Sequence, residues 1–158
     1  MTTAALEQHR LAAGLASDQL DRLAAIARPA DWAPGQRVFD EGGQAARLWL
    51  ITAGQIALDL KVPGRATVIV ETLGPGDELG LSWLSPVPRW QFGAVAQRQT
   101  SAIEMDSGDL IRLCEQDHEL GYLLTRRLLA TAVSRLQAAR IRILDLYASP
   151  RQLPGRTP

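Results

Sequence analysis

The spacing of apolar residues changes twice along the chain. Leu6, Leu11, Leu15, Leu20, Leu23 and Ile26 recur at roughly helical intervals, which predicts helix over residues 4–27. Gly14 interrupts that stretch, and Ser17 followed by Asp18 reads as the N-cap of a second helix. Arg28-Pro29 ends it, because the residue before proline disfavours helical dihedrals. From Asp31 to about Glu104 the period shortens. Apolar runs at Arg37–Asp40, Leu48–Thr52, Gln55–Lys61 and Ala66–Thr72 are separated by "APGQ", "EGGQ", "TAGQ", "VPGR", "GPGD" and "SPVP". Short runs between glycine turns predict antiparallel strands closed into a sandwich or barrel. No alternation of strands with long helices is present, which argues against a parallel sheet.

After Asp106 the helical period returns. Asp106 or Ser107 can cap a short helix covering Leu110–Cys114, and Asp117 precedes a long helical segment running to Ala148. On that segment Leu129, Val133, Leu136, Ile143 and Tyr147 form one stripe at three- and four-residue steps, interrupted by Arg140. Leu124, Leu128, Ala132, Ala139 and Leu146 widen it. About thirty helical residues span about 45 Å, more than one small β-domain can cover. The surplus predicts a homodimer through this helix, with Leu129, Val133, Leu136, Arg140, Ile143 and Tyr147 at the interface. The alternative is a helix folded back along its own domain. The fold class is thus α+β: N-terminal helices over residues 1–28, an antiparallel sandwich or barrel over 31–105 and C-terminal helices over 107–148. These form one domain over 1–148, and the proline- and arginine-rich 149–158 is expected to be disordered.

Composition narrows the function classes. The chain has 158 residues, 46% hydrophobic, and zero formal net charge, which argues against a basic face for DNA or RNA. One cysteine, Cys114, excludes an intrachain disulfide and a cysteine metal cluster, and fits a cytoplasmic protein. It is expected to be a buried helix residue. The first twenty residues lack the basic-then-apolar order of a signal peptide, and no apolar run reaches the ~18 residues of a membrane span. His9 and His118 fall in different helices without ligand-spaced neighbours, so no metal site is expected. Arg126, Arg127, Arg135, Arg140 and Arg142 read as a solvated helix face, or as partners of Asp145 and Glu119. No nucleophile elbow, phosphate-binding Walker loop or carboxylate pair is found, so no catalytic residue is assigned.

The order of elements, with "APGQRVFDEGGQAARLWLITAGQIAL" (Ala33–Leu58) and "LGPGDELG" (Leu73–Gly80), resembles the cyclic-nucleotide-binding domain of the catabolite-activator/fumarate-nitrate-regulator superfamily. Gly35, Gly42, Gly54, Gly74, Gly76 and Gly80 sit where that jelly-roll-like β-roll has its tight turns. The resemblance covers roughly Leu15 to Tyr147. DNA-binding members carry a helix-turn-helix module after the long helix. Only about ten residues follow Tyr147 here, so the resemblance implies a free-standing, non-catalytic regulatory or accessory domain that does not bind DNA.

In nucleotide-binding members the phosphate cassette reads roughly Phe-Gly-Glu-Leu-Ala, a variable loop, then Pro-Arg-(Ser/Thr)-Ala. Backbone N–H groups and the arginine hold the phosphate, and the glutamate holds the ribose. Alignment on Gly80 places Leu81 at the glutamate position and Trp90 at the arginine position. The candidate site therefore comprises Glu78, Leu79, Gly80, Leu81, Ser82, Trp83, Arg89, Trp90 and Gln91, as an altered cassette. Either Arg89 swings across with Glu78 replacing the lost carboxylate, or the pocket takes something else. Trp83 and Trp90 either stack on a base or redox cofactor, or seal the loop against the core. The resemblance admits a cyclic nucleotide or an adenine dinucleotide as ligand. It also admits a stand-alone cyclic-nucleotide sensor, or a place in a larger redox-enzyme complex as the dimeric accessory subunit of an NAD-reducing soluble hydrogenase.

Overall fold

The computed structural model describes residues 2–148. Helices α1 (Thr2–Gln8) and α2 (Ser17–Ile26) precede eight strands, and α3 (Ser107–Gln116) and α4 (His118–Ala148) follow them. The strands are β1 (Ala27–Trp32), β2 (Arg37–Phe39), β3 (Arg47–Ala53), β4 (Ile56–Leu60), β5 (Val68–Leu73), β6 (Glu78–Leu79), β7 (Gly93–Ala96) and β8 (Thr100–Asp106). A short 3-10 helix, Leu81–Leu84, lies between β6 and β7. Two antiparallel sheets of four strands form a β-roll, in the orders β1-β8-β3-β6 and β2-β7-β4-β5. The α+β architecture with helices at both ends is as the sequence predicts. The expected 149–158 tail lies outside the described residues.

Several boundaries move for local reasons. The first helix is shorter than expected, and His9 lies in the turn after it and not in a helix. The N-cap of α2 is Ala16, whose N–H is accepted by Gln19 Oε1 at 3.1 Å, so Ser17 is already helical. Strand β1 begins at Ala27, before the expected start of the roll, and pairs with β8 from Ala27↔Met105 to Trp32↔Thr100. Pro29 is tolerated there because β1 is an edge strand, where one missing donor breaks no second ladder. Asp106 caps α3, accepting from Gly108 N and Asp109 N at 2.8 and 3.2 Å. Asp117 does the same for α4 through Leu120 N at 3.0 Å.

Two cores explain the strand texture. One lies between the two sheets and holds Trp32, Trp49, Ile51, Ile56, Leu79, Trp90 and Ala94. The other lies between the first sheet and the helices and holds Leu6, Leu23, Leu48, Leu50, Met105, Leu110, Leu120, Leu124 and Leu128. Strand β3 serves both: Leu48 and Leu50 face the helices, Trp49 and Ile51 the roll interior. A strand covered on both faces reads as a continuous apolar run, which is why "LWLI" shows no alternation. Glycine is required most plainly at Gly54 (φ 87°), where an added Cβ would lie 2.3 Å from Gln99 O. Gly35, Gly42, Gly76 and Gly80 also have positive φ. Gly74 does not, and its part in its turn is to donate its N–H to Asp77 Oδ2 at 2.8 Å.

Candidate functional site

The β-roll and α4 enclose a cavity of about 320 Å³. Its floor is apolar, built from Phe39, Leu58, Val70, Leu79 and Trp90, and α4 closes it with Arg135, Leu136, Ala139 and Arg142. Gly80, Leu81 and Ser82 form a third wall. Gly80 adopts φ 99° and starts the 3-10 helix, and a Cβ there would lie 2.5 Å from Arg47 O. The chain can therefore turn from β6 into the 3-10 helix against β3 only with glycine at this position.

Trp90 is 6% exposed and stacks on Phe39, with ring centroids 4.0 Å apart at 16°. Trp49 extends the cluster, 5.6 Å from Phe39 and 5.7 Å from Trp90. Trp90 thus belongs to the core between the sheets and also floors the cavity. Trp83 points elsewhere. It packs half-buried between the two cores and lines a separate groove with Ile111, Cys114 and Tyr122.

The cavity brings together Leu79, Gly80, Leu81, Ser82, Trp90 and Gln91, and leaves Glu78, Trp83 and Arg89 outside. The Glu78–Arg89 working pair is not formed. Arg89 lies on the outer loop, in an isolated bridge with Gln44, and donates through Nη1 to Gly42 O at 2.9 Å. Glu78 is 1% exposed and turned toward the N-terminal segment. Arg10 donates to its two carboxylate oxygens at 3.0 and 2.6 Å, and Thr131 Oγ1 of α4 donates to Oε2 at 3.0 Å. Burial works to raise the Glu78 carboxyl, but the Arg10 bonds and charge, with Thr131, outweigh it and hold the group below the usual carboxylate range. His9 is buried beside it and accepts from Leu11 N through Nδ1 at 3.2 Å. Burial lowers its pKa, against the opposing pull of Glu78.

The arginines of α4 are not one solvated face. Arg127 donates to Leu11 O and Ala13 O at 2.6 and 2.7 Å, clamping the N-terminal segment to the long helix. Arg135 donates to Glu78 O, and its Nε lies 3.7 Å from Glu71 Oε1. Arg142 has no ion-pair partner among the described residues and lines the cavity. Arg135, Arg142 and Glu71 are wall residues that sequence reasoning missed. The available signal was that 128, 131, 135, 139 and 142 repeat at helical steps on a face beside the exposed stripe.

That stripe is open. Leu129 is 60% exposed, Val133 45%, Leu136 51%, Ile143 52% and Tyr147 85%, with Arg140 exposed among them. Leu124 and Leu128, expected to widen it, are instead buried in the helical core. The side chain of Leu146 lies outside the described residues. Cys114 is only half-buried, with its thiol pushed up by burial. No group of three or more His, Cys, Asp or Glu among the described residues could hold a metal ion. No described helix is long and apolar enough to cross a membrane.

A family model for the cyclic nucleotide-binding domain matches residues 30–117. The chain belongs to this family. Solved relatives of the domain share its fold at low identity. A cyclic nucleotide-binding domain from Methylobacillus flagellatus is 17% identical with a TM-score of 0.79, covering 96% of this chain and 84% of its own. The catabolite activator protein of Thermus thermophilus is 25% identical with a TM-score of 0.70, covering 87% of this chain, which spans 62% of that protein. The sensor domain of the transcriptional regulator DNR from Pseudomonas aeruginosa is 18% identical with a TM-score of 0.70, over 85% of this chain and 91% of its own. No curated protein matches the sequence. Membership of this domain family, with regulators among its structural neighbours, supports a regulatory or sensor role.

Proposed function

We propose that the chain is a non-catalytic, homodimeric regulatory domain whose small-molecule ligand enters the cavity between the β-roll and α4. One observation carries this: the altered cassette at Gly80–Ser82 and the long helix at Arg135–Arg142 line the same cavity. A molecule seated there touches both, so its binding energy acts on the position of the helix. The same helix turns Leu129, Val133 and Ile143 outward. Each such side chain contributes roughly 1.5–3 kcal/mol when fully buried, so a second copy of α4 is the partner this face favours.

The standard cyclic-nucleotide mode is disfavoured. Leu81 stands at the ribose-binding carboxylate position and Trp90 at the phosphate-binding arginine position, and neither Glu78 nor Arg89 reaches the cavity. Losing two charge-assisted bonds, each worth roughly 1.5–3 kcal/mol, weakens such a ligand by two to four decades. Native mass spectrometry of protein purified from its own host tests the reading. A dimer carrying a releasable small molecule supports it; a ligand-free monomer refutes it. The narrower assignment, an accessory subunit of an NAD-reducing soluble hydrogenase, predicts co-purifying hydrogenase subunits in the same spectrum.

A further inference from the structure

We infer that the cavity takes a small amphipathic organic acid, bound with its acidic group against Arg142 of the long helix and its apolar body against Phe39 and Trp90. This rests on the ligand-responsive reading above and specifies the chemistry of its ligand. The observation behind it is where the charge sits. The wall formed by Leu79–Ser82 offers one hydroxyl, Ser82, and no cation. The roll's nearby arginines are engaged elsewhere: Arg37 pairs with Asp59 and Asp40, and Arg89 bonds Gly42 O. Both cations on the wall come from α4. Of these, Arg135 is already held by Glu78 O and Glu71. Arg142 keeps its donors, because no described residue pairs with it.

The floor restricts the class further. Phe39 and Trp90 present stacked aromatic faces, and Leu58, Val70 and Leu79 continue the apolar surface. An inorganic anion would leave that surface unfilled, and a neutral apolar molecule would leave Arg142 unused. A cavity of about 320 Å³ is at the small end of ligand pockets, which suits a one- or two-ring acid or a medium-chain fatty acid. The polarity is the reverse of a phosphate seated against the turn after β6: the acidic end lies on the helix side, and the apolar end lies in the roll.

The test is calorimetry on the full chain with phenylacetate, 1-naphthylacetate and decanoate, each beside its uncharged amide. At least one acid should bind saturably, with its amide roughly ten- to a hundredfold weaker, the factor expected for one charge-assisted bond. Arg142→Gln should bring that acid to the level of its amide while leaving the melting temperature of the empty protein unchanged, since Arg142 has no described ion partner. Ala139→Trp, which fills the cavity, should abolish binding of both. Failure of all three acids, equal binding of acid and amide, or an acid preference that survives Arg142→Gln would each overturn the inference. If the host-purified protein then still carries a neutral or nucleotide ligand, only this inference falls. If it carries none and is monomeric, the ligand-responsive reading falls with it.

Discussion

Arg10→Ala should separate a stabilising ion pair from an ornamental one. Arg10 and Glu78 join the N-terminal segment to β6, which leads into the turn at Gly80, and Thr131 ties the same carboxylate to α4. The two partners differ in exposure: the Arg10 side chain is 53% exposed and Glu78 1%. An exposed pair is worth about 0–1 kcal/mol, and breaking a buried one costs about 3–5 kcal/mol. A bidentate pair with one buried end lies between, at about 2–3 kcal/mol. For a chain of this size that corresponds to roughly 5–10 °C in melting temperature.

The sign of the pH dependence sharpens the test. In the wild type the folded Glu78 pKa is lowered, so its contribution is fully present above the unfolded value, about 4.3, and is lost as pH falls through the folded value. Without Arg10, burial dominates and pushes the carboxyl above its unfolded value. The variant's folded state then takes up a proton more readily, and its deficit shrinks as the solution is acidified. Urea unfolding at about pH 7, 5.5 and 4.5, at fixed protein concentration, should show the gap closing. In a Glu78→Gln background Arg10→Ala should cost little. A loss independent of pH, or one equally large in the Glu78→Gln background, would refute the reasoning.

Three further outcomes follow from the same structure. In sedimentation velocity the wild type should run as the proposed dimer, and Leu129→Glu combined with Val133→Glu as a monomer with protomer secondary structure retained, because both side chains are exposed. Trp90→Ala should lower stability by about 3–5 kcal/mol in urea unfolding, the cost of truncating a buried aromatic stacked on Phe39. Cyclic AMP and cyclic GMP should show no saturable heat at micromolar concentration in calorimetry of the wild type, since neither Glu78 nor Arg89 lines the cavity.

The roll was legible because its turns are chemical necessities. At Gly54 and Gly80 the backbone is left-handed and a carbonyl from elsewhere in the chain, Gln99 O or Arg47 O, crowds the Cβ position, so the glycine marks the turn in any sequence that folds this way. Strand identity was legible for a related reason: the Leu48–Ile51 stretch of β3 is covered on both faces and is apolar throughout. Burial alone could not reveal orientation. Glu78 sits two residues before Gly80, close enough in sequence to be taken for a cassette residue. In the fold its side chain faces Arg10 and Thr131, from segments 68 and 53 residues away. A strand alternates its side chains, so Leu79 turns into the cavity and Glu78 turns out of it.

The long helix shows the complementary limit. Its arginines look alike in the sequence, yet they are divided by one step of helical phase. Arg140 shares the outward stripe with Val133 and Leu136, whereas Arg135 and Arg142 share the inward one with Leu128 and Thr131. Leu136 sits at the edge of both, half exposed and lining the cavity. Under the proposed function, that double position gives the helix its mechanical use. A ligand acid drawn to Arg142, as proposed, would pull on the side of α4 that faces the roll, and the neighbouring side would present Leu129, Val133 and Ile143 to a partner. A rotation that improved the first contact would change the second, because both faces belong to one continuous helix of 31 residues. Coupling between ligand and partner therefore requires no hinge within the helix, only two faces out of phase on it.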